Sequence, residues 1–252
     1  MVNFISFNAR SIRNKVPDLL FELSSNPSSI CCVTESWLQG NSDDSILSDV
    51  AKTHYIIRVD DDSRAGRGGG VLMLLPLNLQ FEIIEEIAND YFELSGINLY
   101  SQKTHIFSLF LAYRSPSPDM LQSTLVLTDT LSRILHVSPT VTKFILGDFN
   151  YPRINWANPD LSELHPCDAS FVHAMYQLGF SQLISEPTHN GGNCLDLLFT
   201  NYSNVVGNIE VGASFSTSDH FIISGFFGPF YIKPDSNSQG MKFRNFHRSN
   251  FI

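Results

Sequence analysis

Positive charge is scarce in this sequence. It contains 16 Lys and Arg against 25 Asp and Glu, which gives a formal net charge of -9. Because phosphate contacts need Lys and Arg, this balance argues against a protein that holds nucleic acid by bulk charge. It leaves open a nucleic-acid enzyme whose carboxylates bind a metal ion.

Long hydrophobic runs and an N-terminal signal are also missing. No uninterrupted apolar stretch approaches the roughly 18–20 residues of a membrane span, and residues 1–8 contain no basic segment. We therefore expect no membrane partner and no secretion. The four cysteines, Cys31, Cys32, Cys167 and Cys194, show no CxxC spacing. We expect buried free thiols in a reducing compartment rather than zinc ligands.

The rest of the composition is that of a globular protein, with 43% hydrophobic and 12% aromatic residues. Short apolar runs at close spacing, with few helical patterns among them, predict two packed sheets with helices outside. We assign one domain to residues 1–231. Residues 232–252 change first to Pro, Ser, Asn and Gly and then to basic side chains, which predicts an unstructured basic linker.

Polar side chains follow the predicted strands at the point where each strand ends. They are Asn8, Glu35, Tyr113, Asp148, Asn150, Asp196, Asp219 and His220. Strand ends on one edge of a packed-sheet core converge on a shared site. Carboxylates suit Mg²⁺, Asp148 can activate water, and His220 can stabilise a charged phosphoryl oxygen. Each residue alone is more commonly a cap or turn residue, so their shared position and order carry the functional interpretation.

Seven segments, in chain order, resemble a known family. They read SFNARSIRNK at 6–15, TESWL at 34–38, RGGGVLMLL at 67–75, YRSP at 113–116, LGDFNYPRINW at 146–156, EPTHNGGNCLDLLFTN at 186–201 and TSDHFII at 217–223. Together they resemble the exonuclease–endonuclease–phosphatase superfamily. Within it, they are similar to the apurinic-type endonuclease domain of LINE-type (non-LTR) retrotransposon polyproteins. The GDFN and SDH motifs are shared across the superfamily, whereas NARSIRNK, GDFNYPRINW and LDLLFTN are typical of the retrotransposon branch.

The resemblance implies an α/β fold, a four-layer α/β sandwich of two mixed β-sheets packed face to face with helices outside. It implies a Mg²⁺ ion, for which Mn²⁺ can substitute, held near Glu35, Asn8 and Asp219. It also implies a catalytic role for five residues. These are Asp148 for positioning the attacking water, Asn150 and Tyr113 for contacting the phosphate, Asp196 for orienting His220, and His220 for stabilising the transition state.

The implied partner is double-stranded DNA, of which one strand is nicked by phosphodiester hydrolysis. In the family the resulting 3′-hydroxyl primes target-primed reverse transcription during retrotransposition, which implies action in the nucleus after translation in the cytoplasm. We expect Arg10, Arg13, Lys15 and Arg114 to contact DNA. We also expect a hairpin at 201–212, with its turn at Asn208, to approach the minor groove.

A reverse-transcriptase domain is the second partner that the resemblance implies. That domain follows in the family and is not in this sequence, so we expect the chain to be a fragment or the product of a truncated element copy.

Two other functions remain open at this point. One is a superfamily phosphodiesterase that hydrolyses a small phosphoester, such as an inositol phosphate or sphingomyelin. The other is a catalytically silent relic that only binds DNA. A serine hydrolase is disfavoured, because the sequence has no G-x-S-x-G motif and the pair Asp196 and His220 has no evident serine partner.

Overall fold

The computed structural model describes residues 1–60, 68–117, 119–138 and 140–230. The predicted basic linker at 232–252 lies outside this part of the chain. The apolar runs form strands that are buried along their whole length, as at Val71–Pro76 and Lys143–Asp148. Continuous burial of this kind is expected where a sheet is covered on both faces.

The helices and strands follow one another in an order dominated by strands. In chain order they are β1 (Val2–Asn8), α1 (Val16–Ser25), β2 (Ser29–Thr34), β3 (His54–Val59), β4 (Val71–Pro76), β5 (Gln80–Ala88), β6 (Phe92–Ser101), β7 (Thr104–Arg114), α2 (Met120–Leu135), β8 (Lys143–Asp148), α3 (Pro166–Gln177), β9 (Ser181–Gln182), β10 (Asp196–Thr200), β11 (Val206–Ser214) and β12 (Phe221–Phe227). None of these three helices is both long and apolar enough to cross a bilayer.

The strands form two six-stranded sheets. The order in the first sheet is β11-β12-β1-β2-β4-β3, and the order in the second is β5-β6-β7-β8-β10-β9. β1 and β2 are parallel, as are β7 and β8, and the other pairs are antiparallel. Both sheets are therefore mixed, as predicted.

Alternating side chains divide the molecule into four layers. On β2, Cys31 packs with Leu19 of α1, whereas Cys32 faces the core between the sheets. Phe144 of β8 stacks on Phe227 of β12 in the other sheet, with ring centroids 4.0 Å apart. On its opposite face the second sheet packs against α3, through Phe171. The α/β sandwich predicted from the resemblance is confirmed.

Candidate active site

Strand ends from both sheets meet at one edge of the sandwich. Tyr113, Asp148 and Asp196 occupy facing register positions on β7, β8 and β10. Asn8 ends β1 in the other sheet, and its Nδ2 donates to Oδ2 of Asp148 over 2.9 Å. This hydrogen bond joins two residues that are 140 positions apart. The predicted convergence of polar strand ends is therefore observed for these four residues.

Glu35 is held by donors from three parts of the chain. Its Oε1 accepts from Asn8 Nδ2 at 3.0 Å and from the Tyr113 hydroxyl at 3.1 Å. Its Oε2 accepts from the indole nitrogen of Trp37 at 3.1 Å. These three donors fix the orientation of a partly exposed carboxylate. Trp37 was not among the predicted site residues, although it belongs to the TESWL segment.

The backbone around this edge is strained. Arg10, Ser11, Glu35, Trp37 and Asn150 all have positive φ angles, between 44° and 83°. Such conformations cost on the order of 1–2 kcal/mol for residues with a Cβ atom. Residues held in this way cluster where geometry serves binding or catalysis. Five of the ten non-glycine residues with a positive φ in the described part of the chain thus lie at the edge that carries the polar side chains.

The turn after β8 places Asp148 and Asn150 side by side. The Asn150 amide N–H donates to Asp148 Oδ1 at 3.0 Å, and its side-chain Nδ2 donates to the Arg114 carbonyl at 2.9 Å. Burial, followed by the nearby charge of Asp196, raises the pKa of Asp148 well above its usual value. A buried carboxylate of this kind is a stronger base than one in water.

Asp196 and His220 form a buried pair. His220 Nδ1 lies 2.7 Å from Asp196 Oδ2. Burial lowers the pKa of His220, but the hydrogen bond with Asp196 and the charges of Asp196, Asp148 and Asp219 outweigh it and raise the value to about 9. The Thr188 hydroxyl accepts from the Asp196 amide at 2.9 Å and anchors the start of β10. His220 is thus held in one orientation, as a donor.

The two carboxylate oxygens of Asp219 have different surroundings. Oδ2 forms an ion pair with Arg10 and lies 3.3 Å from His189 Nε2. Oδ1 is buried and has no hydrogen-bond partner among the described residues, and it lies 4.0 Å from His220 Nε2. Burial raises the pKa of Asp219, but backbone hydrogen bonding and the charges of Arg10 and His220 leave it below its usual value.

The edge contains donor sets that fit a divalent metal ion. Two compact groups each bring their ligand atoms within 4.8 Å of one another; one is Asp148, Asp196 and His220, and the other is His189, Asp219 and His220. Glu35 lies outside both groups and connects to the first through Asn8. Carboxylate oxygens are the ligands of hard cations, and the orphaned Oδ1 of Asp219 is a buried acceptor that a cation satisfies.

The basic residues predicted to contact DNA are engaged within the protein. Arg10 pairs with Asp219, Arg13 Nη2 lies 2.7 Å from Asp43 Oδ2, and Lys15 Nζ donates to the Ala9 carbonyl at 2.7 Å. The side chains of Arg10 and Arg13 nevertheless remain 51% and 36% exposed.

Arg114 does not occupy a surface position. It is only 1% exposed. Its guanidinium lies 4.2 Å from the centre of the Tyr151 ring and donates to the Asn150 carbonyl at 3.1 Å. This burial contradicts the predicted DNA contact of Arg114, and the side chain instead packs against the turn at Phe149 and Asn150.

Comparisons with known proteins agree with this arrangement. The model of the Endonuclease/Exonuclease/phosphatase family matches residues 5–220, whereas no curated protein matches the chain. Similar solved structures include the endonuclease domain of TRAS1, a telomere-specific non-LTR retrotransposon (14% identity, TM-score 0.64, 90% of this chain and 98% of that chain). They also include the AP endonuclease LMAP from Leishmania major (12%, 0.68, 90% and 88%) and an AP endonuclease from Archaeoglobus fulgidus (15%, 0.65, 90% and 99%). At these identities the structures show a shared fold, and the family match shows the membership: the chain belongs to the Endonuclease/Exonuclease/phosphatase family.

Proposed function

We propose that this protein is a metal-dependent DNA endonuclease that nicks one strand by phosphodiester hydrolysis and leaves a 3′-hydroxyl. The observation that carries the proposal is the buried Asp196–His220 pair, placed at the same edge as the linked residues Asn8, Glu35 and Asp148. The similarity of fold to the TRAS1 endonuclease domain supports DNA as the substrate and target-primed reverse transcription as the setting.

Each side chain of the site has a separate role in the proposed reaction. Asp148 orients the attacking water and accepts its proton, a role that its raised pKa favours. His220, held protonated by Asp196, donates from Nε2 to a phosphoryl oxygen as negative charge builds there. Asn150 and Tyr113 donate hydrogen bonds that hold the scissile phosphate in line with the water.

The metal ligands in this proposal are Glu35, Asn8 and Asp219. When bound, Mg²⁺ supplies charge neutralisation on the phosphoryl oxygens and on the leaving oxygen. Glu35 keeps its orientation through Tyr113 and Trp37, and Asp219 presents its unpartnered Oδ1. Mn²⁺ accepts the same oxygen ligands and serves in place of Mg²⁺.

A plasmid-nicking assay tests the function. The wild-type chain with Mg²⁺ is expected to convert supercoiled plasmid to the open-circular form, with no linear product at early times. His220→Ala should lower the rate by roughly 10²–10⁴-fold, the usual contribution of a positioned proton donor. The matched control is His173→Ala, since His173 is an exposed histidine on α3.

Three outcomes contradict the proposal. Equal nicking rates for the wild type and His220→Ala would show that His220 has no catalytic role. If the wild-type chain hydrolyses an inositol phosphate and duplex DNA does not inhibit that hydrolysis, the small-phosphoester alternative is favoured. Binding of DNA without any Mg²⁺-dependent product favours the catalytically silent relic.

We also propose that residues 1–231 contain the activity and that 232–252 form a basic connector toward a reverse-transcriptase partner, with action in the nucleus. Lys242, Arg244 and Arg248 are the cationic side chains of this connector. A chain ending at residue 231 should keep its nicking rate at saturating DNA. It should bind duplex DNA more weakly at low salt, because phosphate contacts are lost.

A further inference from the structure

His189 lies beside the site but has no role in the function proposed above. The backbone around it is hydrogen-bonded to the segment that carries Asp219, His220 and the first residue of β12. The Thr188 carbonyl accepts from the Phe221 amide at 2.8 Å, and the Asn190 amide donates to the Asp219 carbonyl at 2.8 Å. His189 and His220 themselves form an antiparallel bridge. The position of His189 relative to Asp219 is therefore fixed on both sides.

The hydrogen bonds of the ring determine which nitrogen of His189 carries the proton. Nδ1 accepts from the Gly191 amide N–H at 3.0 Å. A neutral imidazole has one donor and one acceptor nitrogen, so Nε2 carries the hydrogen. That nitrogen lies 3.3 Å from Asp219 Oδ2. The ring also stands nearly perpendicular to the His220 ring, with centroids 4.8 Å apart.

Arg10 and His189 both approach the same oxygen of Asp219, Oδ2. The Arg10 contact is a hydrogen bond, and His189 Nε2 lies 3.3 Å from the oxygen. The buried Oδ1 has no hydrogen-bond partner among the described residues. The two donors differ in exposure, because the Arg10 side chain is 51% exposed and the His189 side chain 23%. Arg10 has a long, exposed side chain, whereas the backbone on either side of His189 is held by hydrogen bonds.

We propose that His189 is a positioning residue, which donates from Nε2 to Asp219 Oδ2 and thereby keeps Oδ1 turned toward the metal and the scissile phosphate. This inference rests on the function proposed above, in which Asp219 is a metal ligand. Partners that orient a ligand in this way commonly change metal affinity by roughly 10–100-fold when they are removed.

Two substitutions distinguish the proposed hydrogen bond to Asp219 from the hydrogen bond that His189 accepts within its own turn. His189→Asn keeps an acceptor near the Nδ1 position for the Gly191 amide but has no donor that reaches Asp219. His189→Gln places its amide nitrogen near the Nε2 position and keeps the donor. The probe is Mn²⁺ alone, and its Kd is measured by titration calorimetry on the full chain, beside nicking rates at several Mg²⁺ concentrations.

The expected result is a Kd for Mn²⁺ that rises roughly 10–100-fold in His189→Asn and stays within about threefold of wild type in His189→Gln. Raising the Mg²⁺ concentration should restore nicking by His189→Asn, because the defect is one of affinity. In an Asp219→Asn background, His189→Asn should produce no further loss of Mn²⁺ affinity, since the two act as one unit.

Three results would overturn the inference. They are a wild-type Kd in His189→Asn, an equal loss in His189→Gln and His189→Asn, and additive losses with Asp219→Asn. If His189→Asn does not fold, a loss of Mn²⁺ affinity in His189→Gln likewise overturns the inference, and retention supports it. A wild-type chain that binds Mn²⁺ but does not nick DNA contradicts the proposed function only, and the Kd comparison still decides the role of His189.

Discussion

Nδ1 of His220 and Oδ2 of Asp196 are 2.7 Å apart, and both side chains are buried. The carboxylate accepts from Nδ1–H and stabilises the doubly protonated ring, whose Nε2–H can donate toward the open edge of the site. An asparagine at position 196 carries no charge, so it removes this stabilisation and leaves a neutral ring, which is a weaker donor from Nε2. The donor capacity of His220 therefore depends on the charge of Asp196 as well as on its shape.

Asp196→Asn is expected to lower the nicking rate by on the order of 10²–10⁴-fold, with little change in DNA affinity. Single-turnover nicking and a filter-binding assay measure the two effects. Asp129→Asn, at an exposed position on α2, is the matched control and should behave as wild type. Wild-type nicking by Asp196→Asn would contradict the orienting role.

Much of the site could be predicted from the sequence, because apolar runs end at polar residues and strand ends meet at sheet edges. Trp37 and His189 could not be assigned in this way. Both lie within segments that carry the family resemblance, but their partners, Glu35 and Asp219, become evident only once the chain is folded.

The alternation of side chains along β7 bears on the position of Arg114. Successive side chains on a strand point to opposite faces, so a residue next to Tyr113 on β7 points away from the site to which Tyr113 contributes. The sequence prediction placed both Tyr113 and Arg114 near the DNA because they are adjacent in the chain. Strand alternation alone predicts that Arg114 points to the opposite face from Tyr113; its contact with Tyr151 becomes evident only in the folded chain.

The stretch at 201–212 shows where local signals are ambiguous. Gly207 followed by Asn208 predicts a hairpin turn, and Asn208 indeed has φ of 49°. In the structure, however, both residues lie within β11, where the register against β12 shifts between Gly207 and Glu210. A bulge and a turn use the same left-handed residue, and only pairing with β12 decides between them. The hairpin prediction was wrong.

Gly147 is expected to tolerate no side chain. Its φ is +136°, and a Cβ atom there would lie 1.8 Å from the Ala112 carbonyl oxygen on the neighbouring strand. Gly147→Ala should lower the free energy of unfolding by about 3 kcal/mol or more, through backbone strain and overpacking together. Urea denaturation of purified protein measures the loss.

The control for this substitution is Gly179→Ala. Gly179 also has a positive φ, +77°, but nothing lies within 4 Å of the added atom. Only the conformational cost of about 1–2 kcal/mol should appear. Equal losses for the two variants would show that the approach of Ala112 carries no energetic weight.

The four cysteines are expected to be unreactive in the folded chain. All are buried and free. Burial raises the pKa of Cys32 to about 12, and burial together with the charge of Asp196 raises that of Cys194 to about 12. Because the thiolate is the reactive form, a disulfide reagent at pH 8 should modify none of them within minutes. In guanidinium chloride four thiols should react per chain, and rapid modification of the native protein would contradict the burial.

Substitution of Arg114 distinguishes a structural role from a DNA contact. Arg114→Lys keeps the charge but loses the planar group that stacks on Tyr151 and donates to the Phe149 and Asn150 carbonyls. The free energy of unfolding should fall by about 2 kcal/mol. The slope of log affinity for duplex DNA against log salt should stay unchanged, because no phosphate contact is removed.

Arg13→Gln should show the opposite pattern. Arg13 is exposed and pairs with Asp43 at the surface, so its loss should cost about 1 kcal/mol or less in stability. If Arg13 contacts one phosphate, the salt slope should fall by about 0.9. An Arg114→Lys chain with wild-type stability and a reduced salt slope would instead place that side chain on the DNA, which its burial under the turn at Phe149 and Asn150 argues against.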